Sequence, residues 1–140
     1  MATLKISDLS VGDWVQDGNG IIAKVRGIEN WSDGYILNVQ TVSGSICTLS
    51  VTGALPIPIT AEILEKNGFV RGQRGDFYHY LRLDKNRTLY IHASTNGWRV
   101  EITYDAAGIL RTTHLMPDIN SVHGLQHVLR LAGLDKEINL

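Results

Sequence analysis

The first half of the chain alternates. Val25, Leu37, Val39, Cys47, Leu49 and Val51 recur at period two with polar residues between them. That period predicts strands with one buried and one wet face. Asp17-Gly18-Asn19-Gly20 is a turn signal between strands over 13–16 and 21–28. Asp33-Gly34 opens a strand over 35–42, and Ser43-Gly44 turns into another over 45–51. Strands this short and close together predict a small SH3-like β-barrel, because closing a sheet on itself protects its edges. Cys47 is expected inside it as a small core residue.

The second half begins with Pro56-Ile57-Pro58, where each proline fixes φ and restricts the residue before it, giving a stiff connector. A helix follows from Thr60 to Asn67. The Thr60 hydroxyl caps its first turn, Ile59 and Leu64 are spaced as a hydrophobic staple, and Gly68 ends it. From Asp76 to Met116 the pattern returns to period two and predicts a four-stranded antiparallel meander. A reversal at Asn96-Gly97 places Ala93 opposite Val100, Ile91 opposite Ile102 and His92 opposite Glu101. Matching apolar residues in the preceding hairpin places Leu81 opposite Ile91 and Tyr80 opposite His92. The last element, Ser121 to Ala132, has Val122, Leu125, Val128, Leu129 and Ala132 on one side of a helical wheel. His123, Gln126, His127 and Arg130 fall on the other, expected to be wet.

These elements predict an α+β chain. A small N-terminal SH3-like β-barrel over 1–55 is joined by a connector over 56–59 to a subdomain over 60–140. That subdomain comprises a helix, a four-stranded antiparallel meander and a C-terminal helix, the whole forming one compact unit.

Composition narrows the function classes. The 140 residues are 44% hydrophobic, enough for a core without disulfides, and the single cysteine leaves no intramolecular pairing. The net charge of −1 lacks the basic excess that many phosphate contacts require. The chain shows no apolar leader and no apolar run near the ~20 residues of a membrane span. A cytoplasmic protein without membrane association is expected. Phosphate loops, dinucleotide glycine fingerprints and nucleophile elbows are missing, so no enzyme and no cofactor is expected.

The leading candidate site is the polar face of the meander: Tyr80, Arg82, Tyr90, His92, Arg99 and Glu101. Rings and guanidinium groups are enriched where proteins bind one another, and they suit a nucleotide equally well. The same residues are also ordinary occupants of a wet sheet face. Trp31, with Tyr35 and Trp14, forms a second candidate. Trp31 is expected in a loop, and Trp14 has a plain reading as a core filler. His123 and His127 stand one helical turn apart, as in helical metal sites. Gly124 occupies the place where zinc proteases carry glutamate, so no metal is expected there.

Three stretches carry a resemblance. They are Asp8-Leu9-Ser10-Val11-Gly12-Asp13-Trp14-Val15, the segment from Pro56 to Phe69 (PIPITAEILEKNGF), and Val122-His123-Gly124-Leu125-Gln126. Together they resemble a group of small uncharacterised proteins of Bacteroidetes genomes, prophages and phages, with a central P-I-P-L-T-x-E-x-L-x-K-x-G-F motif. The chain departs from that pattern at Asp13, Ile59, Gly124 and His127. The resemblance implies a bacterial or phage cytoplasmic setting and an accessory role in a mobile element, and it brings no activity with it. The expected function is therefore a protein-interaction or self-assembly module. Alternatives are a nucleotide- or nucleic-acid-binding (sequestering) protein and a phage virion component.

Overall fold

The structure, a computed structural model, describes residues 4–32, 34–72, 78–94, 97–106, 110–134 and 136–140, without the side chains of 106 and 110–117. It is mostly β. Two antiparallel sheets comprise four strands in the order β1-β2-β3-β4 and five in the order β5-β6-β7-β8-β9. Two compact units result: residues 1–58 with 121–126, and residues 59–120 with 127–140.

In the first unit the strands are β1 (Trp14–Gln16), β2 (Ile22–Trp31), β3 (Gly34–Thr41) and β4 (Ile46–Ser50). The Asp17 side chain closes the first turn by accepting the N–H groups of Asn19 and Ile21. The expected alternation is present along β2 and β3, where Ala23, Val25, Leu37 and Val39 are buried. They cluster with Leu4, Leu9, Val15 and Ala54, and Ile6, Ile28, Leu49 and Val51 pack against that cluster. Each fully buried Val or Leu side chain of this cluster contributes about 1.5–3 kcal/mol by leaving water.

The expected barrel is absent, because this sheet does not close. After β4 the chain coils into a 3-10 turn over Val51–Gly53. It then meets β1 through a single bridge, in which Gln16 and Leu55 exchange backbone hydrogen bonds of 3.0 and 2.8 Å. Pro56 and Pro58 follow at once, and neither has an N–H with which to build a ladder. β4 is therefore an edge strand. Cys47, expected inside, is exposed. It pairs with buried Val39, so its side is the core-facing one, but it lies on the strand at the rim. Trp31, expected in a loop, instead ends β2 opposite Gly34. The preceding turn residue Asp33 lies outside the described residues.

In the second unit, helix α1 (Ala61–Lys66) begins at Thr60, whose hydroxyl accepts the Ile63 N–H at 3.2 Å. It ends with Gly68 at φ 89°, where the Phe69 N–H returns to the Leu64 carbonyl. Ile59, Leu64 and Phe69 are buried. Asn67 was not singled out in the sequence, yet it is buried and pairs with Asn139 in both directions, Nδ2 to the carbonyl and Oδ1 from the N–H. That pair fixes the C-terminal tail, whose Ile138 is fully buried.

The meander has one strand more than expected: β5 (Val70–Arg71) precedes β6 (Tyr78–Arg82), β7 (Arg87–Ser94), β8 (Gly97–Ala106) and β9 (Leu110–Ile119). Asp76, the expected start of the meander, lies outside the described residues. So does Asn96 of the expected turn. Both expected registers are displaced by two residues. Ser94 pairs with Gly97, so Ile91 lies opposite Val100, His92 opposite Arg99 and Tyr90 opposite Glu101. In the preceding hairpin Tyr78 lies opposite His92 and Tyr80 opposite Tyr90. Apolar matching selects only parity, and both phases satisfy it. The phase is set at Gly97, which holds φ 131° with Asn120 packed where a side chain would begin. A bulge between Trp98 and Val100 then offsets β9.

Helix α2 (Val122–Leu131) also differs from expectation. It does not lie wholly in the second unit. Residues 121–126 group with the first, where the Val122 N–H donates to the Ile57 carbonyl at 2.8 Å. Its supposed wet side is also partly dry, since His123 and Gln126 are buried.

Candidate binding face of the second sheet

A displacement of two residues leaves every side chain on its original face, because the strand period is two. Leu89, Ile91, Val100 and Ile102 are therefore buried together on one side of the second sheet. Tyr80, Arg82, Tyr90, His92, Arg99 and Glu101 share the other. There Tyr80, Tyr90, His92 and Glu101 are half-buried, and Arg82 and Arg99 are exposed.

The structure adds Tyr78 to this face. Its ring centroid lies 5.7 Å from His92, 5.9 Å from Tyr90 and 6.4 Å from Tyr80, and Tyr80 lies 6.2 Å from Tyr90. The rings are tilted by 38–55° to one another, within the range where aromatic pairs attract through edge and face. Its parity with Tyr80 was legible in the sequence, but its place opposite His92 was not. Gly72 completes the support. The Gly72 N–H donates to the Tyr78 carbonyl at 2.8 Å, and the Tyr78 ring occupies the space a Cβ at Gly72 would need.

Two shallow depressions flank the ring cluster. One, of about 290 Å³, is lined by Tyr78, Tyr80, Arg82, Thr88 and Tyr90. The other, of about 270 Å³, is lined by His92, Ala93, Ser94, Arg99 and Glu101. His92 Nε2 lies 3.9 Å from Glu101 Oε2 across the diagonal of the pairing. The Ser94 hydroxyl donates to the Gly97 carbonyl at 3.0 Å. Thus the hydroxyl of this depression is committed to backbone.

At the foot of the same hairpin, Arg87 Nε donates to Asp84 at 2.7 Å and its Nη1 to the Ala132 carbonyl at 2.8 Å. The Arg87 hydrogen bond, with the Asn86 N–H, holds the Asp84 carboxyl below its ordinary range. Asp84 in turn raises the Arg87 guanidinium. On the opposite face His79 is buried with Nε2 3.9 Å from Glu65.

The remaining candidates lie on other elements. Trp31 is exposed and donates to Glu29 at 2.9 Å. That bond, with one from Asn38, lowers the Glu29 carboxyl from 4.5. Tyr35 is exposed on β3 opposite Asn30. Trp14 is half-buried with Lys24 Nζ 5.5 Å from its ring centroid, so its indole holds a cation. His123 is buried with Nδ1 2.9 Å from the Ser121 hydroxyl, which also accepts the Gly124 N–H as the helix cap. His127 is half-buried. Among the described residues no group of three or more His, Cys, Asp or Glu could hold a metal ion. Among them, too, no helix is long and apolar enough to cross a membrane.

No protein-family model matches the chain, and neither a curated protein nor a solved structure matches it.

Proposed function

We propose that this chain is a non-catalytic protein-binding module whose recognition surface is the ring-bearing face of the second sheet. The observation that carries the reading is the ring cluster centred on Tyr78, which lies within 6.4 Å of Tyr80, Tyr90 and His92, with exposed Arg82 and Arg99 on the same face. Mutually packed rings offer area at low entropic cost, and arginine supplies donors in a fixed fork. The tilt of the rings suits an irregular protein surface better than a stack of parallel bases. The net charge of −1 also argues against a long phosphate backbone. The proposed setting, a bacterial cytoplasm with a mobile element or phage, rests on the motif resemblance.

The test uses charge reversal at exposed positions. Arg82→Glu and Arg99→Glu leave stability within about 0.5 kcal/mol of the parent, as surface changes do. Each should weaken capture of a purified partner by at least tenfold, about 1.4 kcal/mol. Unchanged binding in both variants refutes the site.

A second reading, nucleotide binding, is favoured by one observation. The 290 Å³ depression carries three tyrosines and an arginine, near the lower size limit of small-molecule sites. Thermal shift against mononucleotides and short oligonucleotides separates the two, because a ligand of the folded form raises Tm.

A further inference from the structure

The first sheet, which the proposal above does not use, ends in an open edge. Among the described residues β4 pairs with β3 alone, and the order β1-β2-β3-β4 leaves its other side without a strand. The direction of its backbone groups follows from the hairpin. The Thr41 N–H donates to the Ser45 carbonyl at 2.9 Å, which makes Thr41 and Ser45 a hydrogen-bonded pair. Antiparallel pairs alternate, so Val39–Cys47 and Leu37–Leu49 are hydrogen-bonded as well. The N–H and C=O groups of Ile46 and Thr48 and the N–H of Ser50 therefore point away from the sheet, while the Ser50 carbonyl opens the 3-10 turn over Val51–Gly53.

This edge lacks the devices that keep strands apart. Ile46 is 76% exposed, Val42 67%, and Cys47 is exposed beside them. β4 has no proline, and positions 41–61 contain no Asp, Glu, Lys or Arg. Natural edges are usually blunted by charge, proline or a covering element.

We infer that β4 pairs with β4 of a second copy of this chain, antiparallel about a twofold axis at Thr48. In that register Thr48 lies opposite Thr48, Ile46 opposite Ser50, and Cys47 opposite Leu49. Every outward-facing residue meets another outward-facing residue, as hydrogen-bonded pairs require. Displacing the register by two residues keeps that match but overlaps fewer of the five. A neutral strand also suits a neutral edge, since no like charges are brought together. The twofold pairing also covers a core-side residue that the rim leaves exposed. Cys47 is exposed although it points to the core side with Val39, and in the pair it lies beside the second copy's Leu49. The inference stands apart from the tyrosine face, since none of its residues lies in the second sheet.

Sedimentation velocity over a wide concentration range tests it. The native chain should form a reversible dimer. Thr48→Pro removes an N–H that the β3 ladder does not use, and Ile46→Lys places charge at the edge. Each should weaken the dimer by more than about tenfold while the melting curve is retained. Leu49→Cys adds a direct check, because opposite residues of a non-hydrogen-bonded pair have Cα atoms about 4.5 Å apart, within disulfide reach. Mild oxidation should join Cys47 of one copy to position 49 of the other, and a Cys47→Ser control should abolish that link. A strictly monomeric native chain, a dimer that survives both edge variants, or a dimer without the cross-link would each overturn the inference. If Thr48→Pro unfolds, Ile46→Lys and the cross-link decide. A chain that pairs its edge only with a foreign strand would score as monomeric and count against it.

Discussion

In the four-stranded sheet the groups left open are the backbone amides and carbonyls of β4. In the five-stranded sheet they are the rings and guanidinium groups of β6, β7 and β8. The two exposures have different origins. A face is written residue by residue in the alternation of a strand, so its chemistry survives a change of pairing partner. An edge exists only because a neighbour is missing, and no side-chain pattern announces it. Tyr90 belongs to its surface whichever residue it pairs with, whereas Thr48 is at an edge because the chain after Ser50 turns away. The charge pattern differs as well. Arg82, Arg99 and Glu101 give the face a polarity that selects partners, while the neutral 41–61 stretch leaves the edge to backbone complementarity.

The largest effect that separates the two sheets is expected at Gly97. Alanine there must adopt φ near 131° and displace Asn120 and the Ile119 carbonyl. Loss of about 2–3 kcal/mol is expected from strain of this kind, read by urea unfolding. Amide exchange should show the loss concentrated in β7, β8 and β9, with β2 and β3 protected as before. Uniform loss across both sheets would show that they unfold together and would blunt the comparison.

A smaller effect is expected from Gly72→Ala. Its φ is not in the left-handed range, so the cost is steric, about 1 kcal/mol or somewhat more as the Tyr78 ring moves aside. Ring-current shifts of Tyr80, Tyr90 and His92 in NMR spectra should change with it. If they stay in place, Tyr78 is not part of the shared ring surface, and the face reduces to what the sequence proposed.

The smallest effect lies at the Trp31 end of the first sheet. Trp31→Phe removes the indole hydrogen bond to Glu29, so the Glu29 carboxyl should titrate closer to the ordinary carboxylate range. A carboxyl lowered in the folded state contributes stability above its ordinary pKa and loses it as pH falls through the lower folded value. The variant should therefore show a slightly smaller stability loss in that acidic window, read by carboxyl NMR titration and thermal melts. An unmoved Glu29 titration would show that the hydrogen bond is not the cause. The aromatic candidate of the first sheet is thus already occupied by its own chain, in contrast to the rings of the second.

The cap of α1 was legible, because a cap is a local event and Thr60 needed only its own first turn. What reached beyond local range was lost. The sequence placed His123 and Gln126 on a wet side, but their burial depends on where the segment 121–126 docks. The barrel expectation failed for a related reason. Closure required a ladder after β4, and a 3-10 turn and two prolines left one bridge in its place. Arg87 and Asn67 were invisible as structural residues, because their partners Ala132 and Asn139 are distant in sequence.

Read alone, the chain determined which residues share a face. Side chains alternate with period two along a strand, and that parity is indifferent to a two-residue slip. The tertiary structure alone decided the phase of each hairpin, the strand left without a neighbour and the ring resting on Gly72. These are matters of which backbone approaches which, and steric fit at Gly97, Gly72 and the prolines after Leu55 selects among alternatives that the hydrophobic pattern satisfies equally.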